Sequence, residues 1–296
     1  MDWDKLRTFH VVAEMGSFTR AGETLNLSQS AVSRQIRALE ESLNVPLFHR
    51  HARGLILTEQ GETLYRTAHE VFAKLAMAEA VLTESKERPR GPLKVTATVG
   101  FGSVWLTSHI GEFLDLYPEI ELHVLVADVD LDLSMREADV AIRVTPPRQP
   151  DLIQRHLFTG HFNVYAAPSY LNRFGTPRTL EDLANHRVIT YGEAMPSPFP
   201  SINWLAEAVS AVVPDFHPSL TVNNVYGIMR AVQAGIGVAS LPAFMPDKQS
   251  QVVRILHEVQ GPEAEAFFVY PEELRNSQRI VVFRDFLLRK VAETRF

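Results

Sequence analysis

The sequence predicts a multidomain α and α/β chain, and three observations carry that expectation. The first 88 residues show helical periodicity almost throughout, with one Gly/Pro-punctuated break at 44–58. ERPRGP (87–92) then interrupts the pattern, as Pro and Gly do between domains. Beyond it, short β-branched runs alternate with helical ones, the order of βαβ units around a mainly parallel sheet. With 296 residues, 46% apolar and 22% charged, the chain can bury a core in each part.

The first helix, DWDKLRTFHVVAEMG (2–16), places Leu6, Phe9, Val12 and Ala13 on one face and ends at Gly16, a natural left-handed cap. Ser17 caps FTRAGETLN. Asn26 follows at the corner, where its tolerance of left-handed backbone permits a tight turn. Ser28 caps the third helix, which is expected to bury Val32, Ile36, Leu39 and Leu43. Gln29, Ser30, Ser33, Arg34 and Arg37 fall on its other side. A helix entering the major groove meets base edges with its N-terminal turns. Small polar side chains permit that approach, Gln can bond bidentately to adenine, and Ser serves donor or acceptor edges. Arg farther along reaches phosphates, which fix position and not sequence. A surface helix with an ordinary Ser cap is the plainer alternative, so the flanks decide.

VPLFHRHARGLILTEQG (45–61) follows directly. Leu47–Arg50 and Gly54–Leu57 read as two short strands, a wing whose Arg50, His51 and Arg53 meet DNA backbone or minor groove. This order of elements resembles the LysR-type transcriptional regulators. The residues that carry the resemblance are Leu6, Phe9, Ser17, Phe18, Ala21, Leu25, Ser28, Gln29, Ser30, Val32, Ser33, Ile36, Leu39, Glu40, Leu43, Leu47, Phe48, Arg50, Leu57, Thr58 and Gly61. The match is dense over roughly residues 3–65 and rests on layout beyond them. Two positions depart from the family pattern. Gly22 stands where Ala is usual, a helix-weakening change of about 1 kcal/mol. Asn44 stands where Gly is usual, which Asn tolerates in left-handed backbone.

TEQGETLYRTAHEVFAKLAMAEAVLTESKER (58–88) is one long helical pattern. Leu64, Ala68, Val71, Leu75, Ala78 and Leu82 alternate in spacing as the seam of a two-helix coiled coil does. Packing on its own domain is the alternative use of that face. The resemblance implies a homodimer, dimers that pair into a homotetramer, and a near-palindromic promoter site. It divides the chain into a winged helix-turn-helix domain (1–58), a linker and dimerisation helix (59–90) and an effector-binding domain (91–296).

The resemblance implies a periplasmic-binding-protein-like effector domain, two α/β lobes joined by crossing strands. The crossings fall near 160–166 and 264–269, giving lobe one as 93–161 with 268–296, and lobe two as 162–267. Strands are expected at 93–99, 120–127, 139–144, 162–168, 186–191, 236–242 and 267–271. Helices are expected at 103–117, near 131–137, at 223–235 and at 277–293. Ligands of such sheets bind at the C-terminal strand ends, where helix N-termini offer free N–H groups. Gly102 and Ser103 in VGFGSVW, Thr145 in VTPPRQP, Asn223 in VNNVYG and Val238 in GIGVASLP are the candidate effector contacts. Each has a structural alternative: glycines make turns, and Ser103 or Asn224 can simply cap a helix. The cleft chemistry points to a small anion such as a carboxylate, with Arg143 the one cation placed near it. A structural pair between Arg143 and Asp139 or another acid is the competing use.

Net charge is −6, which looks wrong for a DNA binder. Residues 1–92 hold 12 basic and 12 acidic residues, leaving 17 and 23 of the chain's 29 and 35 to the remainder. The acidity is therefore all C-terminal, and local basic clusters decide contact with phosphate. Cys is absent, which removes disulfides, thiolate metal sites and thiol redox sensing. No GxSxG elbow, P-loop or HExxH occurs, and GFGSVW and GIGVAS each lack a third Gly at dinucleotide-binding spacing. His156 and His161 lie without metal-ligand spacing. No enzyme, cofactor or metal is expected. No run of about 18 apolar residues is present, and MDWDKLRTFH does not read as a signal peptide. A cytoplasmic location is expected. An exported solute-binding protein and a non-specific architectural DNA binder are the remaining alternatives. The missing export signal argues against the first, and the acidic body against the second. The expectation is a bacterial regulator on double-stranded promoter DNA. A small-molecule effector between its lobes would alter DNA bending and access of RNA polymerase.

Overall fold

The structure, a computed structural model, describes residues 2–51, 54–83, 89–146, 151–192, 197–246, 251–294 and 296. The side chains of residues 50, 51, 54, 73 and 76–83 lie outside that description. The chain divides into two compact units, Met1–Thr83 and Glu84–Phe296.

In the first unit, α1 (Trp3–Met15) begins behind Asp2, whose carboxylate accepts the N–H groups of Asp4 and Lys5, and ends on Gly16 at φ 60°. Ser17 caps α2 (Phe18–Leu25), and Asn26 closes it at φ 55°. Ser28 caps α3 (Gln29–Leu43), which ends on Asn44, also at φ 55°. Both asparagines thus occupy the left-handed backbone expected of them. Strands β1 (Phe48–His51) and β2 (Gly54–Leu57) pair antiparallel as a wing. Helix α4 (Glu59–Thr83) follows.

Leu6, Phe9, Val12, Val32, Ile36 and Leu39 bury one core. Leu43 does not join it and is 37% exposed. The chain turns away at Asn44, and Val45 and Leu47 fill that end of the core instead. Gly22 has a packing role beyond helix propensity. A Cβ there would stand 2.6 Å from the Leu27 carbonyl oxygen, so glycine lets the α2–α3 corner close tightly. One Glu40 carboxylate oxygen accepts the N–H groups of Leu47 and Phe48, at 2.8 and 3.3 Å, and pins the wing to α3. The Thr58 hydroxyl donates to the Pro46 carbonyl and accepts the Gly61 N–H.

The expected seam of α4 is split. Leu64 and Ala68 pack into the helix-turn-helix core with Tyr65 and Phe72, while Val71 and Leu75 are 37% and 49% exposed. A ring contact between His10 Nε2 and His69 Nδ1, at 2.9 Å, adds to the attachment of α4 to α1. The side chains of Ala78 and Leu82 lie outside the described set.

In the second unit, β3 (Gly91–Ala97) leads into a π-helical segment, Phe101–Leu106, continued by α5 (Thr107–Leu116). Then come β4 (Ile120–Val126), β5 (Val140–Arg143), the long β6 (Leu152–Ala166) and α6 (Pro168–Phe174). A 3₁₀ turn (Glu181–Asn185), β7 (Ile189–Tyr191), α7 (Trp204–Val212), β8 (Leu220–Val222) and α8 (Val225–Gln233) follow. The chain closes with β9 (Val238–Pro242), β10 (Val253–Ile255), β11 (Glu263–Pro271) and α9 (Gln278–Ala292).

Strand β3 runs parallel to β4 and β5, and β11 is antiparallel to both β5 and β6. Residues Leu152–His161 of β6 pair with β11, and Phe162–Ala166 pair with β9. Strand β6 therefore serves two sheets, and the chain crosses between lobes at His161/Phe162 and again where β11 begins. Lobe one is held by α5 and α9 through Phe113, Phe283 and Phe286. Lobe two buries Val164, Tyr170, Leu205 and Val209 in one cluster, and Ile189, Ile228 and Leu241 in another.

The helix expected near 131–137 does not form. Asp132 accepts the N–H groups of Ser134 and Met135 in a turn, and Arg136 takes φ 56°, which ends any helix. The helix expected from 103 starts earlier, with helical backbone from residue 99. Helices α6 and α7, strands β8 and β10 and the first ten residues of β6 form where the sequence predicts no element.

A Cβ at Gly61 would stand 2.1 Å from the Leu47 carbonyl oxygen, which is fixed backbone. Gly61→Ala is therefore expected to destabilise the first unit by about 1–3 kcal/mol. Urea unfolding checks this, and an unchanged midpoint would mean that the Leu47 backbone yields freely.

Candidate nucleic-acid interface and effector cleft

The exposed start of α3 is the first candidate site. The Ser28 hydroxyl accepts the Ala31 N–H at 3.2 Å and lies 3.0 Å from the Ser30 hydroxyl, so its first task is capping. Gln29, Ser30, Arg34 and Arg37 are exposed, and Ser33 is half-buried. No acid sits in the first turn of α3 to compete for its N–H groups. Among the described residues, Arg34 and Arg37 form no ion pair. The helix thus presents polar hydrogen-bonding groups at its positive end and two available cations behind them, the arrangement a phosphate-lined groove accepts. Arg50 and His51 fall on β1 at the wing, with their side chains outside the described set, and Arg53 lies outside the described residues.

The second candidate site lies between the lobes of the second unit. A cavity of about 550 Å³, including its open mouth, is walled by Phe101 and Phe158 on the lobe-one side and by Phe162 and Phe199 on the lobe-two side. Phe101 and Phe158 stack with ring centroids 5.4 Å apart, as do Phe162 and Phe199. The π-helical segment widens the helix after β3 and places Trp105 beneath Phe101 at 4.9 Å. Such segments recur at functional sites.

Asp128 is the one ionisable residue among the described lining of this cavity. It follows β4, accepts the Val99 N–H at 2.9 Å, and takes a longer 3.4 Å hydrogen bond from the Tyr191 hydroxyl of β7. The second bond spans the two lobes. Burial pushes the Asp128 carboxyl above the usual carboxylate range, and its two hydrogen bonds pull it partly back. Burial, with the Asp128 charge beside it, pushes the Tyr191 hydroxyl up to about 12.

The effector contacts expected from the sequence are not all brought together here. Thr145 lies beside the cleft in a smaller hollow that also contains Asp128 and Arg143. Asn223 is exposed just before α8, and neither cavity takes it as a wall. Asn224 is the cap, accepting the Gly227 N–H at 2.6 Å. Gly102 packs under β4, where a Cβ would meet the Val126 methyls at 3.1 Å. Ser103 sits inside the π-helical segment and cannot cap it. Val238 is fully buried in lobe two, paired with Ala166, and forms no cleft wall. Arg143 is committed to Asp130 and to the Leu131 carbonyl, so the competing structural use of this cation prevails. The missed residues are aromatics spread over 101–244 and one Asp after a strand, which no local motif marks.

Comparison with known proteins matches both units. The family described as "LysR substrate binding domain" covers residues 86–292, and "Bacterial regulatory helix-turn-helix protein, lysR family" covers residues 3–62. The chain belongs to the LysR family. Members are DNA-binding transcriptional regulators with an effector-binding domain, and this chain is one of them and not an enzyme. It is 31% identical over 292 residues to the HTH-type transcriptional regulator CrgA of Neisseria meningitidis, covering 97% of this chain and 96% of that one. The solved structure of the Neisseria CrgA matches with TM-score 0.59 and 28% identity, over 98% and 99% of the two chains. Full-length CbnR complexed with its target DNA shares the fold, with TM-score 0.65 and 17% identity over 98% and 100%. No helix among the described residues of this LysR-family chain is long and apolar enough to cross a membrane.

The raised Asp128 pKa has a signed consequence. Below the usual carboxylate range the group is protonated folded or unfolded and contributes nothing. As pH rises through the raised folded value, the buried charge costs stability. Asp128→Asn, which retains an acceptor for Val99, is expected to raise the unfolding midpoint near neutral pH, with the gain shrinking as pH falls toward about 4. Thermal scans across that range check it. A gain independent of pH would remove charge burial as its cause.

Proposed function

We propose that α3 reads promoter bases with Gln29, Ser30 and Ser33, that Arg34 and Arg37 clamp phosphates, and that Arg50, His51 and Arg53 contact DNA from the wing. The exposed polar opening of α3 with free arginines behind it carries this reading. The DNA-bound CbnR neighbour supports the use of this fold on duplex DNA. The domain limits we adopt are 1–58, 59–90 and 91–296.

The protein acts in the cytoplasm as a homodimer that can pair into a tetramer, through the exposed Val71 and Leu75 of α4, with Ala78 and Leu82 continuing the seam. Leu64 and Ala68, the first two positions of the expected seam, also pack on the helix-turn-helix core. An effector in the aromatic cleft shifts the population of lobe arrangements, and with it the spacing of paired DNA readers and access of RNA polymerase.

Selection of bound fragments from genomic DNA tests the reading, and a dyad of half-sites is the expected yield. On that site, Gln29→Ala should lose about 1–3 kcal/mol of discrimination between operator and mutated operator. Arg37→Ala should weaken all sequences alike and flatten the salt dependence. Identical behaviour of the two variants in binding titrations would refute the division of roles. Leu75→Glu should shift the protein toward monomer in sedimentation equilibrium, and an unchanged dimer would place the interface elsewhere.

A further inference from the structure

We propose that the effector is an aromatic amine, its ring held by the phenylalanines of the cleft and its protonated amine bound by the Asp128 carboxylate. The inference rests on the reading of the cleft as the effector site and adds the chemical class.

The walls set the first half. Phe101, Phe158, Phe162 and Phe199 line the cleft from both lobes as two stacked pairs, and Ile202 and Val225 complete the apolar lining. A flat apolar ring gains most from such a slot, and aromatic faces also attract a cation. Asp128 sets the second half. Each of its oxygens holds one hydrogen bond, from Val99 and from Tyr191, and a carboxylate has about four acceptor positions. Among the described residues no Lys or Arg offsets its charge, and Arg143, which shares the adjoining hollow with Asp128, is paired with Asp130. Burial penalises the ionised carboxylate, and an incoming ammonium removes that penalty. A carboxylate ligand would instead meet like charge in an apolar slot, so the small anion expected at first does not fit this lining. Because Tyr191 lies across the lobes from Asp128, an amine bound there also touches the one polar link observed between Asp128 and lobe two.

Calorimetric titration of the full chain with 2-phenylethylamine, 2-phenylethanol and 3-phenylpropionate tests the class. The amine should bind most tightly, and Asp128→Asn should weaken it about ten-fold or more while leaving the alcohol little changed. The alcohol binding as tightly as the amine, 3-phenylpropionate binding best, or none of the three binding to folded protein would each overturn the proposal. Ala264→Phe fills the cavity from lobe one, and Ile202→Trp fills it from lobe two if the first variant does not fold. Loss of binding in the filled variant supports the cleft. A probe that binds the filled variant as well as wild type would overturn the cleft reading itself, separately from the chemical class.

Discussion

The effector-binding unit depends on one hydrogen-bond ladder, between β6 and β11. Because β6 pairs with β11 over Leu152–His161 and with β9 over Phe162–Ala166, the two lobes share a strand and cannot separate without breaking sheet. The cleft is the space left where the strand changes partner. Phe158, Gly160 and Phe162 line it because they alternate on one face of β6 across the change, and Ala264 faces them from β11. A one-residue slip of register would turn both phenylalanines out of the cleft. Position of the site is thus a consequence of pairing, and its chemistry is a consequence of which residues the alternation happens to expose.

In the DNA-binding unit the corresponding constraint is polar. The turn between α3 and the wing buries backbone N–H groups that no helix or strand pairs, and Glu40 supplies the acceptor for two of them. Thr58 ties the other side of the same turn and caps α4. The wing is therefore set at a fixed angle to α3 by two side chains that bond to backbone. That is why residues such as Glu40, Thr58 and Gly61 carry the family resemblance as densely as the reading edge does.

What the sequence made legible follows from how local each signal is. The helix caps at Ser17 and Ser28, the left-handed Asn26 and Asn44, and the βαβ order are decided within a few residues, and the structure has them where they were expected. The crossing strands were legible as well, because their layout came with the resemblance. The short helix at 131–137 failed because Asp132 offers the backbone a better local partner than a helix does. Leu43 and the first two positions of the α4 pattern, Leu64 and Ala68, were less legible for a different reason. A heptad pattern tells that a face is apolar and not which neighbour covers it, and here one core takes Leu64 and Ala68 before the exposed stretch begins. The cleft was the least legible part. Its walls come from separate elements whose meeting is decided only by the fold, and each Phe taken alone reads as ordinary core.

The candidate effector contacts chosen from sequence were turn and helix-start residues, selected on the rule that open α/β sheets bind anions at helix N-termini. That rule needs free N–H groups at the start of the helix and no competing acceptor. After β3 an acceptor already competes there, because the Asp128 carboxylate accepts the Val99 N–H at the start of the helix. The same contact explains why a carboxylate is tolerated in an apolar slot at all: the helix end and the Tyr191 hydroxyl hold it there. Lobe one thus presents a negative group, fixed by its own backbone, to a cavity whose opposite wall is aromatic. An internal acid that occupies the anion position converts a site of the usual polarity into one that selects for the opposite charge, and the Tyr191 bond makes the state of that acid a property of both lobes.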